Sequence, residues 1–277
     1  MPAIQLARLK IQVAGLVDRF DQPVPFHRAL RDLYGYYADR TYRPGLSAPR
    51  IPLIPHYRLP TPVVRQVEID LLPFILADPL AALALVDELW LDPFLEPRLL
   101  AVYIFSHVSP SPPEPVIERL IRWARPEEER QVITALLSQG TARLQREQPE
   151  LWAGIIQQWL RADDPAILSF GLHALISMIS DPGFENLPGI FRLLSPIMLP
   201  ASSKLQGDLV ELIGALAQRW PIETAVFLRQ MISMGHGTGI LRVVRRCLGF
   251  FPMDSQASLR DAMQVYGERQ KEGTPRT

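Results

Sequence analysis

The chain has 277 residues, 48% of them apolar, and carries 29 Lys and Arg against 29 Asp and Glu, for a formal net charge of zero. That balance gives no global field toward nucleic acid or an anionic membrane surface, so any such binding has to be local. The single cysteine, Cys247, excludes an intramolecular disulfide framework and a cysteine-rich metal site, and it fits a reducing compartment such as the cytoplasm.

The stretch from Met1 to Lys10 has no unbroken apolar run after its basic residues and does not read as a signal peptide. Apolar spacing predicts helices near 4–20 and 26–38. From Thr41 to Pro62, prolines at 44, 49, 52, 55, 60 and 62 are too dense for a helix. Leu46, Ile51, Leu53, Ile54, Tyr57 and Leu59 suggest that this stretch packs as an extended strap over the first helices. Helices are then expected near 62–77, 79–91, 96–108, 113–124, 127–146, 149–162, 165–180, 187–195, 202–219, 221–235, 237–250 and 254–269. In Val63, Val67, Leu71 and Phe74 the apolar residues recur every three or four positions, the helical period. No strand is needed. Even the apolar run from Phe74 to Leu91 carries Asp78, Asp87 and Glu88, so no segment reaches the roughly 18 uncharged residues of a membrane helix. The polar end, Gly267 to Thr277, reads as a disordered tail.

Proline supplies the punctuation. There are 27, about twice the usual share, and most fall between the predicted helices. A proline is tolerated in a helix's first turn and disfavours helix in the residue before it. Asp78-Pro79, Asp92-Pro93, Asp164-Pro165 and Asp181-Pro182 repeat one device, an aspartate able to cap the helix that follows and a proline near its first position. Consecutive helices pair up with starts near 62, 96, 127, 165, 202 and 237, a spacing of about 31 to 38 residues that belongs to helical-hairpin solenoids. The fold class read from this is all-α: a right-handed solenoid of HEAT-like helix pairs, an armadillo-type α-α superhelix, with residues 1–266 as one domain.

The run Asp87-Glu88-Leu89-Trp90-Leu91-Asp92-Pro93-Phe94-Leu95-Glu96-Pro97-Arg98-Leu99-Leu100-Ala101 resembles a segment of the bacterial DNA alkylation repair glycosylases, HEAT-like proteins in which a helix ending in Leu-Trp meets a short link and then Glu-x-Arg-x-x-Ala. Tyr57 to Arg65 resembles that family's Gly-Val-x-x-Pro-x-x-Arg element, and Trp159 to Pro165 resembles the link before its Trp-x-Arg-Arg helix. The resemblance covers roughly residues 5–235. It implies a solenoid whose concave face cradles duplex DNA, with an aspartate and aromatic residues promoting loss of an N-alkylated base and an arginine holding the backbone. A carboxylate would steady the developing oxocarbenium ion, and cations would hold the phosphates.

The chain departs from that pattern where the chemistry lies. There is no aspartate from Pro93 to Ala162, and Ala166-Ile167-Leu168-Ser169 stands where the family has Trp-x-Arg-Arg. Glu127, Glu128 and Glu129 are the nearest carboxylates and read first as helix-start acids; if the chain is an enzyme, Glu129 is the candidate. The second helices of the pairs, which would line the groove, carry six acids against five arginines between residues 79 and 235, where a DNA groove should be strongly basic. The expected function is a non-catalytic scaffold binding a protein or peptide along the concave face. The alternatives are a DNA-binding relative or a glycosylase for N-alkylated bases. Arg119, Arg122, Trp123, Trp159 and Arg161 are the candidate groove residues, although helix-end tryptophans also serve as core between repeats.

Gly235-His236-Gly237-Thr238-Gly239 reads as a turn between helices, with an anion site at Gly237, Arg242, Arg245 and Arg246 as the alternative. The five histidines show no metal-ligand spacing, so neither a metal nor a cofactor is expected. His173 reads as a core histidine, and Cys247 as a buried small apolar residue.

Overall fold

A computed structural model describes residues 5–39, 53–199, 202–234 and 238–272, and every regular element within them is helical. The chain divides into two compact units, Met1–Glu150 and Leu151–Thr277. The first contains α1 (Leu6–Val17), α2 (Pro23–Tyr37), α3 (Thr61–Ala77), α4 (Pro79–Trp90), α5 (Leu95–His107), α6 (Glu114–Trp123), α7 (Arg130–Ala135), a π-helical turn at Leu136–Gly140, and α8 (Ala142–Glu147). α9 (Pro149–Leu160) begins at the division. The second unit continues through α10 (Pro165–Ser180), α11 (Leu187–Met198), α12 (Gln206–Arg219), α13 (Pro221–Met234), α14 (Thr238–Cys247) and α15 (Met253–Glu272). Among the described residues no helix is long and apolar enough to cross a membrane.

Within each unit, helices pack on their sequence neighbours and on the next but one. In the first, α1 packs on α3, α2 on α4, α3 on α5, and α5 on α7 and the π turn. In the second, α10 packs on α12, α12 on α14, α11 on α13 and α13 on α15. The apolar stripes explain the pattern: Val63, Val67, Leu71 and Ile75 of α3 recur every four residues and are fully buried. Each such side chain contributes about 1.5–3 kcal/mol of burial relative to exposure.

The proline punctuation works largely as expected. Prolines occupy the first turn of α2, α3, α4, α6, α10 and α11. Pro73 and Pro196 nevertheless lie inside α3 and α11. Of the four Asp-Pro pairs, two cap as expected: Asp78 accepts the N–H groups of Leu80 and Ala81, and Asp164 that of Ala166. The other two do not. Asp181 accepts from Gly183 in a turn, and α11 is capped instead by Asn186 on Gly189. Asp92 is fully buried and belongs to a polar network described below.

Two further expectations are corrected. The helix predicted over 127–146 is three pieces: Glu129 caps α7, and the π turn separates α7 from α8. At Gly140 an added Cβ would come within 3.1 Å of Leu136 and 3.5 Å of Val102, so this turn lies close against α5. Of the polar tail predicted from Gly267, residues 267–272 belong to α15, and residues 273–277 lie outside the described residues.

Of the proline-rich strap, residues 41–52 lie outside the described residues. Residues 53–60 form no regular element, with a bend at 53–54 and a positive φ at Arg58, and α3 has already begun at Thr61. Their backbone is fastened from several sides. Glu96, in the first turn of α5, accepts the N–H of Tyr57 at 2.9 Å and of Arg58 at 2.6 Å. Pro55 O accepts from Leu95 N, and Tyr57 O from Asp39 N. The Tyr57 ring stacks on Phe94 with centroids 4.4 Å apart. Leu53 was expected to pack but is 96% exposed; it is held by its N–H, which donates to Glu129 at 3.0 Å.

Candidate functional site

The expected groove residues on α6 meet α4. Arg119 grips both carboxylate oxygens of Asp87, its Nη2 at 2.6 Å, and Arg122 Nη2 reaches Asp87 Oδ1 at 2.9 Å. Two cations therefore share one carboxylate, and a phosphate would have to compete with it. The neighbouring Trp123 is buried, stacked on Trp90 at 4.4 Å and meeting Phe105 edge-on at 5.3 Å. Trp159 is buried too, between Trp152 and Phe170. Neither ring offers a face to a groove, so the core role accounts for both positions. Arg161 is exposed just past α9.

Glu129 sits where the chain enters α7. Its carboxylate accepts from Gln131 N at 3.5 Å and from Leu53 N at 3.0 Å. A base-releasing carboxylate must face the scissile sugar. This one is spent on two backbone N–H groups.

A polar network that the sequence did not signal joins α2 to the link between α4 and α5. His27 Nδ1 lies 2.8 Å from Glu88 Oε1, and its Nε2 lies 2.5 Å from Asp92 Oδ2. Asp92 Oδ1 accepts from Phe94 N at 2.7 Å, and Arg31 Nε stands 3.8 Å from Oδ2. Arg31 also bonds the Tyr57 hydroxyl, and that bond with the charge of Asp92 holds its pKa above the ordinary value. Arg98 donates to the Asp92 carbonyl at 2.7 Å and pairs with Glu128. His27 is 61 and 65 residues from its two acidic partners in sequence, and no spacing rule reaches that far. Asp92 is fully buried at its centre while Arg31 at its rim is 47% exposed, and the network fastens the link between α4 and α5 to α2.

The first unit also carries a concavity away from these residues. A cleft of about 530 Å³ opens between the C-terminal ends of α3 and α5, the π turn and α8. Its apolar wall is Leu76 and the Tyr103 ring; its polar wall includes His107, Gln139, Arg143 and Arg146. His107 Nδ1 faces the Tyr103 carbonyl at 2.8 Å, so that nitrogen carries the proton and donates. Arg143 uses Nε on Glu147 at 2.5 Å and Nη1 on the His107 carbonyl at 2.5 Å. Arg146 places Nε on the Ala142 carbonyl at 3.2 Å. Glu68 approaches from α3. Burial holds its pKa above the ordinary range, while Arg65 and His107 pull the other way. The sequence reading singled out none of these residues. The π turn that opens the cleft is the feature that finds it, since such turns recur at functional sites.

No family model matches this chain, and no curated protein is similar to it.

In the second unit, Ser169 of α10 donates to Asp208 of α12 at 2.6 Å, and His173 Nε2 lies 3.5 Å from the same carboxylate. His173 is thus a paired core histidine. Cys247 is fully buried, and that burial pushes its thiol pKa up to about 12. Arg242, Arg245 and Arg246 are exposed on α14; Gly237, the loop half of the anion site considered with them, lies outside the described residues. Among the described residues, no group of three His, Cys, Asp or Glu side chains is placed to hold a metal ion.

Proposed function

We propose that the chain is a non-catalytic scaffold, a HEAT-like α-solenoid that binds a protein or peptide along the face formed by its second helices, in the cytoplasm. The observation that carries this reading is the pairing of Arg119 and Arg122 with Asp87. A groove for duplex DNA needs cations free to replace condensed counterions, and here the two central ones both engage Asp87, which leaves one net positive charge among the three. The packing of α1 on α3, α2 on α4, α10 on α12 and α12 on α14 supports stacked pairs. Ile121, 51% exposed between those arginines on α6, supplies the apolar contact that a protein partner uses.

The second reading is a DNA-binding or base-releasing relative of the alkylation repair family. It rests on the motifs from Asp87 to Ala101. The two are separated by duplex DNA at low salt, and by release of 7-methylguanine or 3-methyladenine from methylated DNA. The scaffold reading expects neither. It also expects a photo-crosslinking residue at Ile121 to trap a discrete protein adduct in cells, with none when the residue replaces Ile69, 64% exposed on α3, the first helix of its pair. A salt-sensitive shift of duplex DNA that is lost in Arg119→Gln/Arg122→Gln would replace the scaffold by the second reading.

A further inference from the structure

We propose that the cleft between α3, α5, the π turn and α8 is a binding site for a phosphomonoester. The inference is independent of the scaffold reading and concerns a different set of residues.

The donor geometry points to a tetrahedral oxyanion. A planar carboxylate is best held by one complete guanidinium fork. Arg143 has no complete fork to give: Nε and Nη1 are already used on Glu147 and on the His107 carbonyl, which leaves Nη2. Arg146 uses only Nε, on the Ala142 carbonyl, so its two terminal nitrogens remain. They belong to the guanidinium that, among the described residues, has no carboxylate against it at this cleft. The cleft therefore offers Nη2 of Arg143, the two terminal nitrogens of Arg146 and the Gln139 amide, donors from three different residues of its wall. Three phosphoryl oxygens match such an array.

His107 favours a monoester over a diester. With its Nδ1 proton committed to the Tyr103 carbonyl, the other ring nitrogen is either a lone pair or, when protonated, a donor. A phosphomonoester has its second pKa near 6 and shares one proton with such a ring in either arrangement. A diester has no proton to share. Leu76 and the Tyr103 ring provide an apolar wall for the group that carries the phosphate. The volume of about 530 Å³ suits a ligand of metabolite or side-chain size rather than a duplex.

The test is calorimetric titration of the full chain with O-phosphoserine, inorganic phosphate, dimethyl phosphate and a short peptide containing phosphoserine. Saturable binding of phosphoserine and phosphate is expected, with dimethyl phosphate at least several-fold weaker. Arg146→Gln should weaken phosphoserine binding about tenfold, the loss of one charge-assisted hydrogen bond. Arg146 is exposed, so its replacement should leave the unfolding midpoint in place. Ala142→Phe, which fills the cleft, should abolish binding. A peptide that binds about tenfold tighter than free phosphoserine identifies the source as a partner's phosphorylated side chain; equal affinities identify a small metabolite. Absence of saturable binding up to about 10 mM, equal binding of dimethyl phosphate, or unchanged binding in both variants would each overturn the proposal.

Discussion

Replacing Asp92 by alanine should be among the most damaging single changes in the first unit. The side chain is fully buried, with Oδ2 2.5 Å from His27 Nε2 and Oδ1 accepting from Phe94 N at 2.7 Å. Alanine would leave the buried His27 Nε2 without its partner and the Phe94 N–H with none. Each unsatisfied buried group costs about 1–3 kcal/mol, and removing one member of a buried ion pair costs about 3–5 kcal/mol. Asp92→Ala is therefore expected to cost about 3–5 kcal/mol. Asp92→Asn should cost clearly less, because its side-chain oxygen still serves Phe94 N and its NH₂ still stands within hydrogen-bond reach of His27 Nε2. Urea unfolding followed at 222 nm, read on the transition of the first unit, measures both. A double-mutant cycle with His27→Ala isolates the coupling. If Asp92→Ala costs no more than about 1 kcal/mol, or no more than Asp92→Asn, the network is not holding the link and the reasoning fails.

Three other outcomes follow from the same kind of argument. Arg219 donates to the carbonyls of Ile179, Asp181, Pro182 and Phe184 and lies over Trp220 at 4.4 Å. Arg219→Ala should destabilise the second unit by about 2 kcal/mol in urea unfolding and raise hydrogen exchange in residues 181–186, whereas Arg219→Lys recovers only part. The Cys247 thiol, pushed up to about 12 by burial, should resist a disulfide reagent at pH 8 in the folded chain and react fully in denaturant. Because its folded pKa lies above the unfolded value near 8.5, its contribution to stability is intact below that value and falls as pH rises toward 12. Burial likewise holds Glu68 above its unfolded pKa, so its favourable contribution exists at low pH and is lost as pH rises through the folded value. Glu68→Gln should raise the thermal midpoint at pH 7 and leave it unchanged near pH 3; a lower midpoint at pH 7 would contradict the assigned cause.

Helical content and most helix limits could be read from the sequence because they depend on local chemistry. α10 falls at 165–180 as expected, since Asp164 caps it and Pro165 starts it. The same local signal misled at Asp92, where a distant histidine claims the carboxylate that would have capped the next helix. It also gave no sign of the π turn, which arises where Gly140 lies close against α5, nor of the division after Glu150, where Pro149 looks like any other helix start. The cleft was missed for a related reason. Leu76, His107 and Arg146 are each unremarkable in sequence, and only the convergence of four elements brings them together.

The residues that carry the resemblance to the alkylation repair family have architectural work in this chain. Trp90 stacks on Trp123 across α4 and α6. Glu96 holds the backbone of Tyr57 and of Arg58, which takes a positive φ of 56°, a conformation costing a non-glycine residue roughly 1–2 kcal/mol. Arg98 ties the Asp92 carbonyl to Glu128. Any array that must turn from one helix pair to the next through a short, polar-backbone link needs such fasteners, whether or not chemistry is done in its groove. The motif therefore tracks the construction of the link. The groups that a base-releasing site requires belong to a separate set, a free carboxylate and free cations. At the corresponding places here, the Glu129 carboxylate is held by Leu53 and Gln131, and Arg119 and Arg122 are held by Asp87. Adding one aspartate would not by itself make such a site, because Arg119 and Arg122 would still be engaged by Asp87.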